Sequence, residues 1–327
     1  MGVVGRVDAY QRRHRWAGLP LAIVYKFVDD QGTYLTAMIT YYGFVSLFPL
    51  LLLFVTVLGF VLEGNPGLQQ RVLDSALAQF PVIGDQIGAN IGSFRGSRLA
   101  LAAGVVGSVY GALGVVQAAQ NALNKMWGVP RNARPNPILS RVRSLALLAV
   151  GGTVLLGTAL LSGVTTSSGV LGAAGVRAAA VAAAVALNVV LFTVTFRMLT
   201  ARPLTVAQVR TGAIVAALVW QLLQWAGTFL LGHWLQGASA TYGMFGIVLG
   251  LLTWIYLGAL TFVLSAEINV VRERRLWPRS LLTPFTDKVE LTSADRRAYT
   301  SYAETERHKG FENVDVDFDP PPRDDPD

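Results

Sequence analysis

The residues able to do chemistry in this chain are few, and most stand within or at the ends of long apolar runs. Tyr41, Tyr42 and Ser46 share one run with Pro49. Gln117, Gln120, Asn121 and Asn124 lie three, four and seven residues apart, so a helix gathers them into one polar stripe. Gln221 and Gln224 interrupt a further run, and Glu267 and Asn269 close the last. Hydroxyls, amides and one carboxylate can bond oxygens or hold a proton or cation. Polar groups placed in hydrocarbon must find partners, and those facing a bundle interior are default candidates for a functional site. Two arrangements satisfy them: they bond one another between helices, or they line a water-filled vestibule. The vestibule reading assigns Tyr41, Tyr42, Ser46, Gln117, Asn121, Asn124, Gln221, Glu267 and Asn269 as lining, with Pro49 shaping the opening. Glu267 is expected to pair with Arg197 or Arg272, or to serve as a proton or cation handle.

Sets that would make an enzyme are missing from the sequence. There is no cysteine, and the three histidines, His14, His233 and His308, lie far apart. Asp29 and Asp30 are adjacent and point roughly 100° apart on a helix. No other acid pair is expected to meet in a cleft, whereas metal-assisted phosphodiester cleavage needs converging ligands. The phosphate-binding pattern G-x-x-x-x-G-K-[ST] does not occur. The expectation is a chain without enzyme activity, metal or cofactor.

The elements that must position these residues follow from apolar length. Hydrophobic residues make up 53% of the chain and charged ones 14%, against about 25% charged in soluble domains; the mean hydropathy is +0.47. Covering the hydrocarbon takes about 20 apolar residues in a helix. Six runs qualify: Ala37–Leu62, Leu99–Ala119, Ser144–Val164, Arg177–Leu199, Gly212–Leu235 and Gly243–Ala266. They are continuous rather than alternating, which argues against a barrel. The fold class expected is therefore an all-α integral membrane protein with a bundle of six spans over 37–266.

Lys and Arg placement orients the spans. Five lie before the first run, five in 120–143, three in 197–211 and ten after 266. The alternate connections are poorer: three in 63–98, Arg177 alone in 165–177 and none in 233–242. The positive-inside rule puts both termini in the cytoplasm, and the even span count agrees. Within the N-terminal segment 1–36, Leu21, Val24, Tyr25 and Val28 have amphipathic helical spacing, and a helix lying in the interface is expected there. The long connection 63–98 is expected to hold two short amphipathic helices. Residues 267–300 read as a basic, solvated juxtamembrane tail. Residues 301–327 read as a disordered acidic tail, because 303–327 carries nine acids and three bases. The chain's net charge of +7 is that of basic inner loops, so no nucleic-acid partner is expected. Small residues at four-residue steps, Ala103, Gly107 and Gly111, suit close helix packing, and Gly246, Gly250 and Gly258 offer another such face. Pro49 is expected to kink its helix.

Three stretches carry a family resemblance. LTAMITYYGFVSLFPLLLLFVTVLG at 35–59, QAAQNALNKMWGV at 117–129 and TYGMFGIVLGLLTWIYLGALTFVLSAEIN at 241–269 resemble, in order, segments of the YihY/BrkB family of bacterial inner-membrane proteins. The resemblance covers about residues 20–275. It implies a six-span inner-membrane protein with cytoplasmic ends, of a kind described as a transporter or permease and in some cases linked to envelope lipids. A ribonuclease label once attached to the family finds no catalytic set here. The function expected is transport of an amphipathic or lipid-like envelope substrate, with membrane lipids as partners. The alternative is a non-transporting scaffold of envelope assembly acting through its basic surface and acidic tail. Oligomeric state is left open by the sequence.

Overall fold

The computed structural model describes residues 3–61, 67, 98–136, 140–142, 144, 146, 173–233, 235–287 and 289–319. Among them every long element is helical. The helices are α1 (Val3–Arg13), α2 (Arg15–Asp29), α3 (Gly32–Val61), α4 (Arg98–Met126), α5 (Ala173–Leu199), α6 (Val206–His233), α7 (Leu235–Glu273) and α8 (Ser293–Thr305), with a 3-10 turn at Arg131–Ala133. The segment 63–98 and the run 144–164 fall, but for isolated residues, outside the described residues.

At least three helices are long and apolar enough to cross a membrane: Val181–Leu199, Val206–Gly227 and Val248–Glu273. Their outward faces are apolar. On α6, Ile214, Leu218, Leu222 and Trp225 repeat at helical spacing and are all exposed. An unbroken ridge of this kind would be an aggregation site in water and is an ordinary surface in lipid. At about 1.5 Å per residue, the 39 residues of α7 outrun a hydrocarbon core of about 30 Å, so its last turns have room to meet other chain segments. The expected outer connection before residue 243 is partly helical, because α7 begins at Leu235.

Helix α3 packs on α4 and α7, and α6 packs on α5 and α7. The α3–α4 crossing shows why small residues recur on α4. A Cβ on Gly107 would lie 2.8 Å from the Pro49 side chain, one on Gly111 2.6 Å from the Ser46 Cα, and one on Gly114 2.8 Å from Tyr42 Cε1. Pro49 sits inside an unbroken α3, its ring seated on Gly107. At the α6–α7 crossing a Cβ on Gly212 would lie 2.7 Å from the Asn269 Cγ.

One end of the bundle collects the described connections. Lys125 Nζ donates to Gln31 Oε1 at 3.0 Å, beside the α2–α3 turn. The backbone N–H of Ala201, after α5, donates to Asn124 Oδ1 at 2.7 Å. Arg131 pairs with Glu306 at 2.7 Å, and Arg274 donates to Ser301 Oγ at 2.5 Å. Helix α4 ends here on Gly128, whose φ of +58° is the left-handed value that favours glycine. Ala122, Leu123, Met126, Trp127, Phe196, Val263 and Val270 fill the core beneath.

Both terminal segments differ from the expectation. The amphipathic stripe of α2 divides: Val24 and Val28 are exposed, while Tyr25 turns inward with Ala22 and Lys26. Residues 267–300 are only partly a solvated face: Arg272, Glu273, Arg275, Arg296 and Arg297 are exposed. Arg279 and Asp295 are buried there, because each supplies the other's missing charge. Helix α8 starts on a capping box in which the Thr292 side chain and the Asp295 side chain each bond the other's backbone N–H. It runs to Thr305, across the composition boundary at 300. Beyond it, Arg296 stacks on the Phe318 ring, and 320–327 lie outside the described residues.

Candidate functional site

The ionisable groups that the fold brings together lie where α2, the end of α7 and α8 meet. Lys26 on α2 and Asp30, the residue that caps its C-terminus, are four residues apart, so one helical turn sets them side by side. Their ammonium and carboxylate form a short ion pair, 2% and 1% exposed. Glu267, near the end of α7, is fully buried, with Oε2 3.9 Å from the same Nζ. Tyr302 of α8 lays its ring 5.1 Å from that Nζ, and its hydroxyl donates to Asp29 Oδ2 at 3.0 Å.

Beside this triad sits a second buried charge. Arg279 follows α7 and is 1% exposed. Its Nε donates to Asp295 Oδ1 at 2.5 Å and its Nη2 to Asp29 Oδ2 at 3.1 Å. Tyr299 and Tyr25 approach the guanidinium at 5.6 and 6.0 Å. The N-terminal hairpin holds the adjoining backbone: Gln11 donates to the Arg279 carbonyl at 2.6 Å, Asp8 accepts from the Leu281 N–H at 2.9 Å, and Tyr25 donates to the Leu281 carbonyl at 2.6 Å. Burial pulls the guanidinium down in pKa, but the carboxylates of Asp29 and Asp295 more than restore it, and the net shift is upward. Burial, then the charges of Asp30 and Asp29, push the Tyr302 phenol far above its ordinary value. Tyr302 therefore acts here as a neutral donor.

Desolvating this many charges costs several kcal/mol per ion unless each finds a partner in good geometry. Asp29, Asp30, Asp295, Lys26 and Arg279 each have one. Glu267 does not: neither carboxylate oxygen has a hydrogen-bond donor.

The residues singled out in sequence are dispersed by comparison. Tyr41 is 63% exposed and touches Tyr42 edge-on, so it faces out of the bundle. Tyr42, Ser46 and Pro49 pack on the glycines of α4, and Ser46 donates to its own helix at Gly43. The amide stripe splits. Gln117 and Asn121 are exposed, and Asn121 accepts from Arg134 at 2.9 Å. Gln120 and Asn124 are buried; Gln120 reaches Ser144 at 3.2 Å and Asn124 holds Ala201. Asn269 accepts from the Gly212 N–H at 2.6 Å, bridging α7 to α6. Gln221 is half-buried on α6. The expected partners of Glu267 are engaged elsewhere: Arg197 donates to the Leu204 carbonyl and Arg272 to Thr211. Lys26 takes their place, because α2 folds over the end of α7. Reading the sequence passed over Lys26, Arg279, Asp295 and Tyr302. The one local sign was Lys26–Asp30 at four-residue spacing.

Comparison with known proteins bears on what this arrangement belongs to. A family model described as "Virulence factor BrkB" matches residues 23–287. A UPF0761 membrane protein of Psychrobacter sp. (strain PRwf-1) is 25% identical over 296 residues, which is 85% of this chain and 53% of that protein. The chain thus spans about half the length of the curated relative it matches. No solved structure matches. The matched region contains α3, α4, α5, α6 and α7 with Lys26, Asp30, Glu267 and Arg279, and the chain belongs to the BrkB family of membrane proteins.

Proposed function

We propose that this protein is a multi-pass permease of the bacterial inner membrane that moves an amphipathic, lipid-like envelope substrate. In this reading it crosses the membrane six times with both termini in the cytoplasm, carries no enzyme activity, and works with membrane lipids and no nucleic acid. The observation that carries the reading is the buried Lys26–Asp30–Glu267 cluster at the end of the longest apolar helix. Ionisable groups within a membrane bundle are expensive, and where they are retained they mark substrate or ion pathways. The gathering of the described arginine-rich connections at one end supports the orientation. Lining by Tyr42, Ser46 and Pro49 is set aside, because those side chains are occupied in the α3–α4 crossing; the functional centre moves to Glu267 and its neighbours.

The experiment is reconstitution into liposomes holding a fluorescent headgroup-labelled phosphatidylethanolamine in the inner leaflet, with dithionite added outside. Bleaching of the inner pool above the protein-free rate, reduced in Glu267→Gln, fits the reading. Bleaching at the protein-free rate in the intact chain refutes it for lipid cargo.

The competing scaffold reading draws on one observation, the folded cap made by 276–305. Truncation after Leu282 is a poor discriminator. It removes Asp295 and Tyr302 and strands the buried Arg279, so it perturbs the bundle end as well as the tail. Thr292→Val, which loosens α8 while keeping the charges, is the cleaner test of a tail-dependent role.

A further inference from the structure

We propose that Asp30 and Glu267 hold one proton between them, making this buried pair a proton-binding site that is closed by α2 and emptied when α2 leaves the end of α7. The inference stands on geometry and does not require that the protein transport anything.

Among the described residues, the charged groups around the pair are each engaged except Glu267. From α2 and its C-cap come Lys26, Asp29 and Asp30; from α7, Glu267; from the segment after it, Arg274 and Arg279; from the α8 region, Asp295, Tyr299 and Tyr302. Arg279 takes Asp29 and Asp295. Lys26 takes Asp30 in the short contact. Arg274 is spent on the Trp127 carbonyl and Ser301. The Tyr302 hydroxyl goes to Asp29. On α3, Thr36 and Thr40 are buried but donate to their own helix, at Gly32 and Thr36. Glu267 is left over, fully buried, with both oxygens unbonded. Its distance of 3.9 Å from Lys26 is too long for a hydrogen bond.

The Glu267 and Asp30 carboxyls both approach the one Lys26 ammonium, Asp30 in the short ion pair and Glu267 at 3.9 Å. Were both ionised, two like charges would share one ammonium in a buried position. A single proton removes the conflict, because it converts one acceptor into a donor toward the other carboxylate. The proton comes from water, and no other bond changes. A metal ion is the poorer occupant: the Lys26 ammonium already fills the cationic position. Among the described residues no group of three or more His, Cys, Asp or Glu is placed to hold a metal. Helix α2 closes the site with Lys26 and Asp30 together, so displacing it returns both carboxyls to water and releases the proton.

The test is infrared spectroscopy of the full chain in lipid nanodiscs at neutral pH. A carbonyl-stretch band of a protonated carboxyl is expected in the intact protein, shifting in D2O, and lost in both Glu267→Gln and Asp30→Asn, since either change leaves one carboxylate for one ammonium. Absence of the band in the intact protein overturns the proposal without any variant needing to fold. So does a band that survives both substitutions, or sodium-dependent stability in place of the band. Lipid movement in the liposome assay is read separately, so failure of the permease reading leaves this result standing.

Discussion

Arg279→Met should release the C-terminal cap from the bundle. The guanidinium is 1% exposed and bonds Asp295, which is fully buried, and Asp29, which is 19% exposed. Removing one partner of a buried ion pair costs about 3–5 kcal/mol, because the other charge stays behind uncompensated. Here the loss belongs at the lower end. Asp295 keeps the N–H groups of Ser280 and Thr292 at 3.0 and 2.9 Å, and Asp29 keeps the Tyr302 hydroxyl. About 3 kcal/mol corresponds to roughly a hundredfold change in an equilibrium constant. Hydrogen exchange is the assay, because it reads local opening of α8 and α2 without requiring global unfolding. Protection of Ala298 and its neighbours should fall by roughly two orders of magnitude. The double variant Arg279→Met with Asp295→Asn should recover most of it, since neutralising both partners removes the stranded charge. Protection in Arg279→Met reduced by less than about tenfold would show that the pair does not hold the cap and would refute the reasoning.

Other perturbations test separate parts of the account. Gly212→Ala forces a Cβ against Asn269 and the Ser265 carbonyl, so α6 and α7 must part. Overpacking of this kind costs about 1–3 kcal/mol, read as a lower Tm in detergent. Asn124→Ala strips the acceptor from the Ala201 N–H. An orphaned buried donor costs about 1–3 kcal/mol, and exchange at Ala201 should rise while α8 is unaffected. The Tyr302 phenol is raised by burial and by Asp30 and Asp29, so the folded state keeps a proton that the unfolded chain loses above about pH 10. The stability this gives is full below that value and falls as pH climbs from there toward the folded value. Alkaline melts of the intact chain should show that decline, and Tyr302→Phe should flatten it.

The apolar runs were legible because hydrocarbon demands length and continuity, and α5, α6 and α7 follow from that demand alone. Small residues on α4 were legible for the same reason, since close approach in lipid needs them. Side-chain facing was less so. Gln117, Gln120, Asn121 and Asn124 do share one arc of about 100°, but the edge of the covered face runs through its middle, leaving Gln120 and Asn124 inside and Gln117 and Asn121 out. The stripe on α2 divides the same way, with Tyr25 inside and Val24 and Val28 out. Periodicity fixes which residues are neighbours on a helix; only the packing partners decide where burial stops. The charge cluster was least legible. Glu267 meets Lys26 across most of the chain, while Arg197 and Arg272 compete as partners closer in sequence. Nothing local distinguishes an arginine that snorkels or bonds a carbonyl from one that pairs with an acid. The tail around Arg279 and Asp295 was misread because charged composition looks the same whether the charges are solvated or matched.

In the proposed orientation the charged connections and both termini share the inner end of the membrane bundle. The chain lacks cysteine, so single cysteines can be probed without background. In intact bacterial cells a membrane-impermeant maleimide should label Gly67→Cys, and should reach Asn132→Cys and Phe311→Cys only after permeabilisation. Labelling of residue 132 or 311 from outside intact cells would contradict it.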